Sequence, residues 1–276
     1  MNILKRINYY WRLIATAISF SLFGIGGVII PIISTPILFL IARGQRRRQL
    51  ARRLTHLSFK TFIHMMRALG ILRWDIRGIE KLQRSSGLVL ANHPTLIDVV
   101  FLVALIPNAS CIVKGKLLSN PAMRGFITLA GYITNDGSDN LLDSVIADEG
   151  ILIVFPEGTR STVGQPLHMQ RGAANIAIRS NTNITPIIIR CEPITLSKQH
   201  KWYHIPDRPF AISIDVKDDI SIAQFTEGPA TLGARRLTKY LEHYFSQESQ
   251  PYEYTRNNSG AESPVDRDIG LGRHLS

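Results

Sequence analysis

The sequence predicts an α/β fold in which helices flank a mixed sheet, with a membrane-inserted helical segment at the N-terminus. Three observations lead to this prediction. Between residues 54 and 245, short runs of branched aliphatic residues alternate with stretches of helical periodicity, which excludes an all-α or all-β fold. Residues 13–42 contain no charged side chain. Residues 246–276 are polar and aperiodic, which is typical of a disordered tail.

The uncharged stretch 13–42 is long enough to enter a membrane. As one straight helix it would extend about 45 Å, which exceeds a hydrocarbon core of about 30 Å. Pro31 and Pro36 therefore predict a first helix near residues 13–30 and a shorter second piece that ends at Ala42. Because basic residues flank both ends, we expect a re-entrant hairpin or a pair of interfacial helices, not a simple span. A pair of buried core helices is the alternative.

The net charge of +11 comes from the N-terminal part of the chain. Residues 1–74 hold twelve Lys and Arg and no Asp or Glu, whereas the rest has 20 basic and 21 acidic residues. The larger basic cluster, residues 43–53, follows the apolar stretch, so we expect a membrane protein whose catalytic domain faces the cytoplasm, at the inner membrane if the chain is bacterial. Such a cluster binds anionic lipid headgroups. Nucleic-acid binding is the competing interpretation, but the remainder of the chain is near neutral, so no nucleic-acid partner is expected.

These patterns divide the chain into an anchor (residues 1–53), a folded domain (54–245) and a polar tail (246–276). Residues 54–72 predict an amphipathic helix that joins the anchor to the domain. Further strands are expected at residues 74–82, 88–91, 111–116, 151–155, 184–190 and 210–216, and further helices from 94–95 onward and at 121–131, 141–150, 171–180 and 232–245.

A histidine and an aspartate follow the apolar strand 88–91. His93 lies at the strand end, and Pro94 favours a helix that starts at Pro94 or Thr95, so Asp98 is expected one turn inside that helix. A carboxylate that accepts from one imidazole nitrogen leaves the other free to take a proton from a substrate hydroxyl. The alternative is that Thr95 caps the helix, Asp98 completes a capping box, and His93 is an ordinary surface residue.

A second polar turn follows the apolar strand 151–155 and exposes Glu157 and Arg160. Gly158 lets the backbone approach a ligand, and an arginine suits a phosphate or carboxylate. Ligands of α/β sheets bind beyond the carboxyl ends of the strands, so both turns are expected to line one cleft. A surface ion pair between Glu157 and Arg160 is the alternative.

The two motifs together, NHPTLID at residues 92–98 and FPEGTRS at residues 155–161, resemble the signature of the glycerophospholipid acyltransferase family, in particular its 1-acylglycerol-3-phosphate acyltransferases. Their order and separation are similar to the family pattern, with Glu157 placed 59 residues after Asp98. Further similar segments lie at residues 114–136, 170–178 and 184–189.

The resemblance implies direct acyl transfer to a lysophospholipid, expected to be 1-acylglycerol-3-phosphate, in phospholipid synthesis. His93, oriented by Asp98, would deprotonate the acceptor hydroxyl, which attacks the thioester of acyl-CoA or acyl-carrier protein. We expect no cofactor, no metal and no covalent enzyme intermediate. The residues expected to bind the polar head of the acceptor are Glu157, Gly158, Thr159, Arg160 and Lys116.

One position departs from the family pattern. Many members have an arginine after the aspartate of the second motif, where it contacts the acceptor phosphate, but here Gly137 follows Asp136. Two alternatives therefore stay open at this stage. One is an O-acyltransferase of the same fold with a different acceptor, such as an aminolipid. The other is a non-catalytic membrane lipid-binding protein.

Overall fold

A seven-stranded mixed sheet forms the centre of this computed structural model, which describes residues 3–84, 86–135, 150–162 and 165–249. The predicted α/β class is therefore confirmed. The strands are β1 (Leu72–Arg77), β2 (Gly87–Ala91), β3 (Ala109–Lys114), β4 (Ile133–Asn135), β5 (Ile151–Val154), β6 (Ile184–Glu192) and β7 (Phe210–Val216). The helices are α1 (Ile3–Ile41), α2 (Gly44–Ala68), α3 (Asp98–Leu105), α4 (Pro121–Ala130), α5 (Arg171–Arg179) and α6 (Ala230–Glu248).

The strand order is β1-β7-β6-β2-β5-β3-β4. The five strands from β6 to β4 run parallel, β7 is antiparallel to β6, and β1 is parallel to β7. Strands β2, β5 and β6 are buried along almost their whole length, because helices cover both faces of the sheet. The carboxyl ends of the five parallel strands lie at one edge, so the loops that follow them meet there.

Two hydrophobic clusters pack on opposite faces of the sheet. One includes residues of α2 and α3, with Phe101, Met66 and Ile63 almost fully buried. The other includes residues of α5 and α6, with Leu237 and Phe245 fully buried. Helix α1 lies outside α2 and runs antiparallel to it, as the paired rings Phe20–Phe62 and Phe23–Phe59 show.

The prediction of two helical pieces within residues 13–42 is wrong, and so is the expected re-entrant hairpin, because α1 is one helix of 39 residues that includes both Pro31 and Pro36. A proline removes one intrahelical hydrogen bond, so its position normally ends or bends a helix. Here α4 packs closely on this part of α1. A Cβ atom at Gly125 would lie 2.6 Å from the Pro31 ring and 3.1 Å from the Gly27 carbonyl oxygen. The carbonyl that Pro31 leaves without its N–H partner thus faces α4.

Several predicted boundaries also change. Helix α2 runs unbroken across the expected border between residues 53 and 54. Helix α3 begins at Asp98, not at residues 94–95, and α6 extends to Glu248, past the expected domain end at residue 245. The short strand β4 was not predicted. Three parts of the prediction lie outside the described residues. They are residues 141–149 of a predicted helix, Asp136 with Gly137, and the tail from residue 250.

Candidate active site

Loops that follow β2, β5 and β6 meet at the carboxyl edge of the sheet. Asn92, directly after β2, joins its strand to β6: its amide nitrogen donates to the Ile189 carbonyl at 2.8 Å, and its amide oxygen accepts from the Ile189 N–H at 2.7 Å. This side chain is buried and replaces a backbone pairing where the parallel strands separate. The amide holds the start of the histidine loop against the sheet.

His93 and Asp98 are in direct contact. The imidazole Nδ1 lies 2.8 Å from the Asp98 Oδ2, and the aspartate is fully buried while 17% of the histidine side chain is exposed. Thr95 donates to the same carboxylate through its N–H, at 2.7 Å, and through its hydroxyl. Asp98 is the first residue of α3, so the turn between residues 93 and 97 folds back over the helix start. Asp98 therefore binds both the threonine and the histidine, but Thr95 does not cap the helix as the alternative predicted, because the N-cap residue is Ile97.

The Phe155 ring packs against the imidazole ring of His93. The centroids of the Phe155 and His93 rings are 4.3 Å apart with an interplanar angle of 34°. Phe155 was not among the residues predicted for the site. Its position directly before the turn of the second motif was the available signal.

Glu157 is buried, whereas the sequence predicted that it is exposed, and it holds the histidine loop. Its Oε1 accepts from the His93 N–H at 3.0 Å and from the Ser161 hydroxyl at 2.7 Å. The Ser161 N–H donates in turn to the His93 carbonyl at 2.8 Å. Burial raises the pKa of the Glu157 carboxyl, and the hydrogen bonds from Ser161 and His93 partly oppose that shift. The two loops therefore contact each other directly.

Arg160 binds the loop that follows β6. Its Nη1 donates to the carbonyls of Leu196 and Ser197 at 3.0 and 2.9 Å. The Leu196 carbonyl also accepts from the Leu96 N–H at 2.9 Å, so one oxygen connects the two motif loops. Arg160 thus bonds to the β6 loop and Glu157 to the histidine loop, in place of the surface ion pair between them.

The other predicted residues lie at the same edge. Gly158, with φ of +62°, and Thr159 form the exposed part of the turn after β5. Lys116 is exposed in the short 3-10 helix Gly115–Ser119 that follows β3. Within the part of the chain that the structure describes, no three or more His, Cys, Asp or Glu side chains cluster in a way that could hold a metal ion.

A family model matches the part of the chain that holds both motifs. Residues 73–190, which include β1 to most of β6 and both motifs, match the acyltransferase family model. These residues form an acyltransferase-family domain.

Three curated relatives of this acyltransferase domain share one name. The chain is 27% identical over 201 residues to a 1-acyl-sn-glycerol-3-phosphate acyltransferase of Saccharomyces cerevisiae, covering 68% of this chain and 63% of that protein. It is 26% identical over 134 residues to the Pseudomonas aeruginosa protein of the same name, covering 45% and 52%. A Limnanthes alba protein of that name is 30% identical over 136 residues, covering 44% and 48%. The chain thus spans about half to under two thirds of the length of these relatives.

A solved structure shows the same fold. The crystal structure of the 1-acyl-sn-glycerophosphate acyltransferase PlsC from Thermotoga maritima superposes with a TM-score of 0.66, covering 89% of this chain and 96% of that chain, at 18% identity. The covered share is larger than residues 73–190, so the similarity in fold extends beyond the acyltransferase domain.

Proposed function

We propose that the protein is a membrane-bound acyltransferase that transfers a fatty acyl group from acyl-CoA or acyl-carrier protein to the hydroxyl of a lysophospholipid, with 1-acylglycerol-3-phosphate as the acceptor. The observation that supports the reaction most directly is the pair of His93 and Asp98. A buried carboxylate lies 2.8 Å from one nitrogen of a partly exposed imidazole. This arrangement suits general-base catalysis on a substrate hydroxyl.

The proposed mechanism follows from the orientation of the imidazole. A carboxylate accepts hydrogen bonds, so Nδ1 carries the ring proton and Nε2 has the lone pair. Nε2 takes the proton of the acceptor hydroxyl, and the oxygen forms a bond with the thioester carbonyl carbon. The carbon–sulfur bond then breaks, and the imidazolium returns the proton to the leaving thiolate. General-base assistance of this type contributes about 10²- to 10⁴-fold.

Glu157, Ser161 and Arg160 would position the reacting groups. Glu157 holds the backbone of His93, and Arg160 holds the carbonyl that joins the two motif loops. A guanidinium has five N–H donors, so donors remain on Arg160 for the acceptor phosphate. Gly158, Thr159 and Lys116 are exposed at the same edge and complete the proposed site for the polar head.

We further propose that α1 attaches the protein to the plane of the membrane. Among the described residues, α1 is the one helix long and apolar enough to cross a bilayer, by length and composition alone. Its buried face, however, extends from Arg12 to Leu38, so α1 packs against the protein over about 40 Å. Its opposite face exposes apolar residues at helical spacing, namely Ile3, Ile7, Ile14, Ile18, Leu22, Ile25, Ile29 and Ile32. We call this face the apolar stripe. A helix held in this way suits an interfacial position, with the domain on the cytoplasmic side.

The second candidate is an O-acyltransferase of the same fold with a different acceptor. The observation that favours it is Gly137, which replaces the family arginine that contacts the acceptor phosphate. The third candidate is a non-catalytic lipid-binding protein. One assay, described next, distinguishes all three candidates.

The test is acyl transfer by the purified protein in detergent–lipid micelles. Labelled acyl-CoA and acyl-carrier protein are offered with lysophosphatidate, an uncharged monoacylglycerol and an aminolipid. We expect lysophosphatidate to be acylated and the variant His93→Ala to be inactive with an unchanged melting temperature. The matched control is His168→Ala, because His168 is an exposed histidine outside the site. A fully active His93→Ala variant would contradict the mechanism, and equal use of the uncharged acceptor would contradict the phosphate-bearing acceptor.

A further inference from the structure

A groove of about 870 Å³ lies between the C-terminal half of α1, the start of α2, and α4. None of its lining residues belongs to the proposed active site. The apolar part of the lining, which we call the floor, includes Val28, Ile32, Phe39 and Leu129, and the side chains of Ile32 and Phe39 are also exposed to solvent. A groove of this volume has room for one lipid-sized ligand.

Three arginines line this groove: Arg47, Arg48 and Arg124. The Arg47 guanidinium lies 3.8 Å from the centroid of the Phe39 ring, so it stands over the apolar floor. The stem of Arg48 packs on Gly131, where an added Cβ would lie 3.2 Å from the arginine Cδ.

No carboxylate offsets this charge within the surrounding elements. Helices α1, α2 and α4 contain no Asp or Glu, and the ion pairs among the described residues involve other basic side chains. The lining of the groove therefore combines apolar side chains with three cationic ones. That combination matches a molecule with an anionic head and a hydrocarbon chain.

The walls of the groove are held together by close backbone packing. A Cβ at Gly27 would lie 2.3 Å from the Ala122 carbonyl oxygen, and one at Gly125 would lie 2.6 Å from the Pro31 ring. Small residues let two helices approach in this way. The groove is thus formed before any ligand binds, which lowers the entropy lost on binding.

We propose that this groove binds one anionic phospholipid of the bilayer, with the phosphate on the three arginines and one acyl chain along the floor. Ile32 belongs to both the groove and the apolar stripe, so the groove opens towards the region where the stripe would meet the acyl chains. The proposal rests on the proposed membrane attachment and not on the acyl-transfer reaction. A bound lipid at this place joins α1, α2 and α4 and makes attachment selective for anionic membranes.

The experiment measures thermal unfolding of the full chain in nonionic detergent, titrated separately with dioctanoyl phosphatidylglycerol, dioctanoyl phosphatidylcholine and glycerol 3-phosphate. The test variant is Arg47→Gln, Arg48→Gln and Arg124→Gln combined. The matched control is Arg43→Gln, Arg46→Gln and Arg53→Gln combined, which removes equal charge at exposed positions outside the groove. A second test variant, Thr128→Trp, fills the groove and leaves every charge in place.

We expect phosphatidylglycerol to raise the melting temperature of the wild type, the arginine control and His93→Ala. The triple groove variant should require at least about tenfold more of this lipid for the same shift, and Thr128→Trp should respond similarly weakly. Equal responses of the two triple variants would overturn the proposal, since delocalised charge would then suffice. Equal stabilisation by phosphatidylcholine or by glycerol 3-phosphate would also overturn it. Persistence of the shift in inactive His93→Ala separates this site from the proposed reaction.

Discussion

At the residue scale, the site depends on the carboxylate of Asp98, which accepts three hydrogen bonds. Asp98 accepts from the imidazole of His93 and from the N–H and hydroxyl of Thr95, and it is wholly buried. The threonine bonds fix the carboxylate, and the carboxylate fixes the imidazole. Rigid placement of this kind lets a general base meet its substrate without further reorganisation.

We expect Asp98→Asn to reduce kcat by about 10²- to 10⁴-fold, because an amide can donate to Nδ1 and so favour the wrong tautomer. The comparison variant is Thr95→Val, which removes a hydroxyl donor and leaves the contact with His93. It should lose about 1–2 kcal/mol of stability while keeping most of its kcat. Steady-state kinetics and thermal unfolding of both variants provide the check. An Asp98→Asn enzyme with near wild-type kcat would exclude the proposed role.

Glu157 makes stability depend on pH. Because burial raises its pKa, the folded protein binds this proton more tightly than the unfolded chain. The contribution to the free energy of unfolding is fully present below the ordinary pKa of a glutamate and is lost as the pH rises through the raised value. We expect Glu157→Gln, which keeps an acceptor oxygen for His93 and Ser161, to gain stability relative to wild type as the pH rises from about 4.5 to 7.5. Melting temperatures of both proteins across this range test the sign, and a constant difference would refute it.

At the element scale, the contact between α1 and α4 lies at Pro31, the first of the two prolines that α1 includes. Gly27 on α1 and Gly125 on α4 let the backbones approach, and the freed carbonyl of Gly27 faces α4. The same contact forms one wall of the groove that we assign to an anionic lipid. The close packing of α4 thus supports α1 at the position where Pro31 removes a local hydrogen bond.

Two glycines of α1 should respond in opposite ways to the same change. The Cβ that Gly24→Ala adds would have no other atom within 4 Å. This variant should therefore raise the free energy of unfolding by about 0.5–1 kcal/mol, because alanine has a higher helix propensity than glycine. Gly27→Ala places a Cβ 2.3 Å from the Ala122 carbonyl oxygen, so it should lower that free energy by about 1–3 kcal/mol. Denaturant unfolding in detergent measures both values. Equal stability of the two variants would show that the close contact has no energetic effect.

At the scale of the whole molecule, the apolar stripe of α1 and the basic cluster that follows it would hold the active site at the lipid surface. A lysophospholipid has its hydroxyl near the headgroup plane, so an enzyme attached in this plane reaches it without extracting the lipid. The near-neutral domain adds little electrostatic attraction of its own. Attachment is therefore expected to come from α1 and α2.

We expect the combined variant Ile18→Asp and Ile25→Asp to bind vesicles at least about tenfold more weakly, because it places two charges on the apolar stripe. The matched control is Leu232→Asp and Tyr240→Asp on α6, where the replaced side chains are exposed to a similar extent, 49% and 39% against 47% and 55%. Flotation of each protein with vesicles at low and high salt is the measurement. If both double variants floated alike, the stripe would not be the attachment surface.

The sequence by itself determined the α/β class, the main buried strands, the apolar N-terminal segment and the two motifs that flank the site. Each of these depends on local periodicity or on residues a few positions apart. Only the tertiary structure decided where the side chains point and where the helices begin. The start of α3 depends on the bonds from Asp98 to Thr95 and His93, and the partners of Arg160 come from a loop some 36 residues away. The continuity of α1 through Pro31 depends on α4, about ninety residues later in the chain. Contacts between segments so far apart leave no periodic signal, because their energy arises only when the folded chain brings them together.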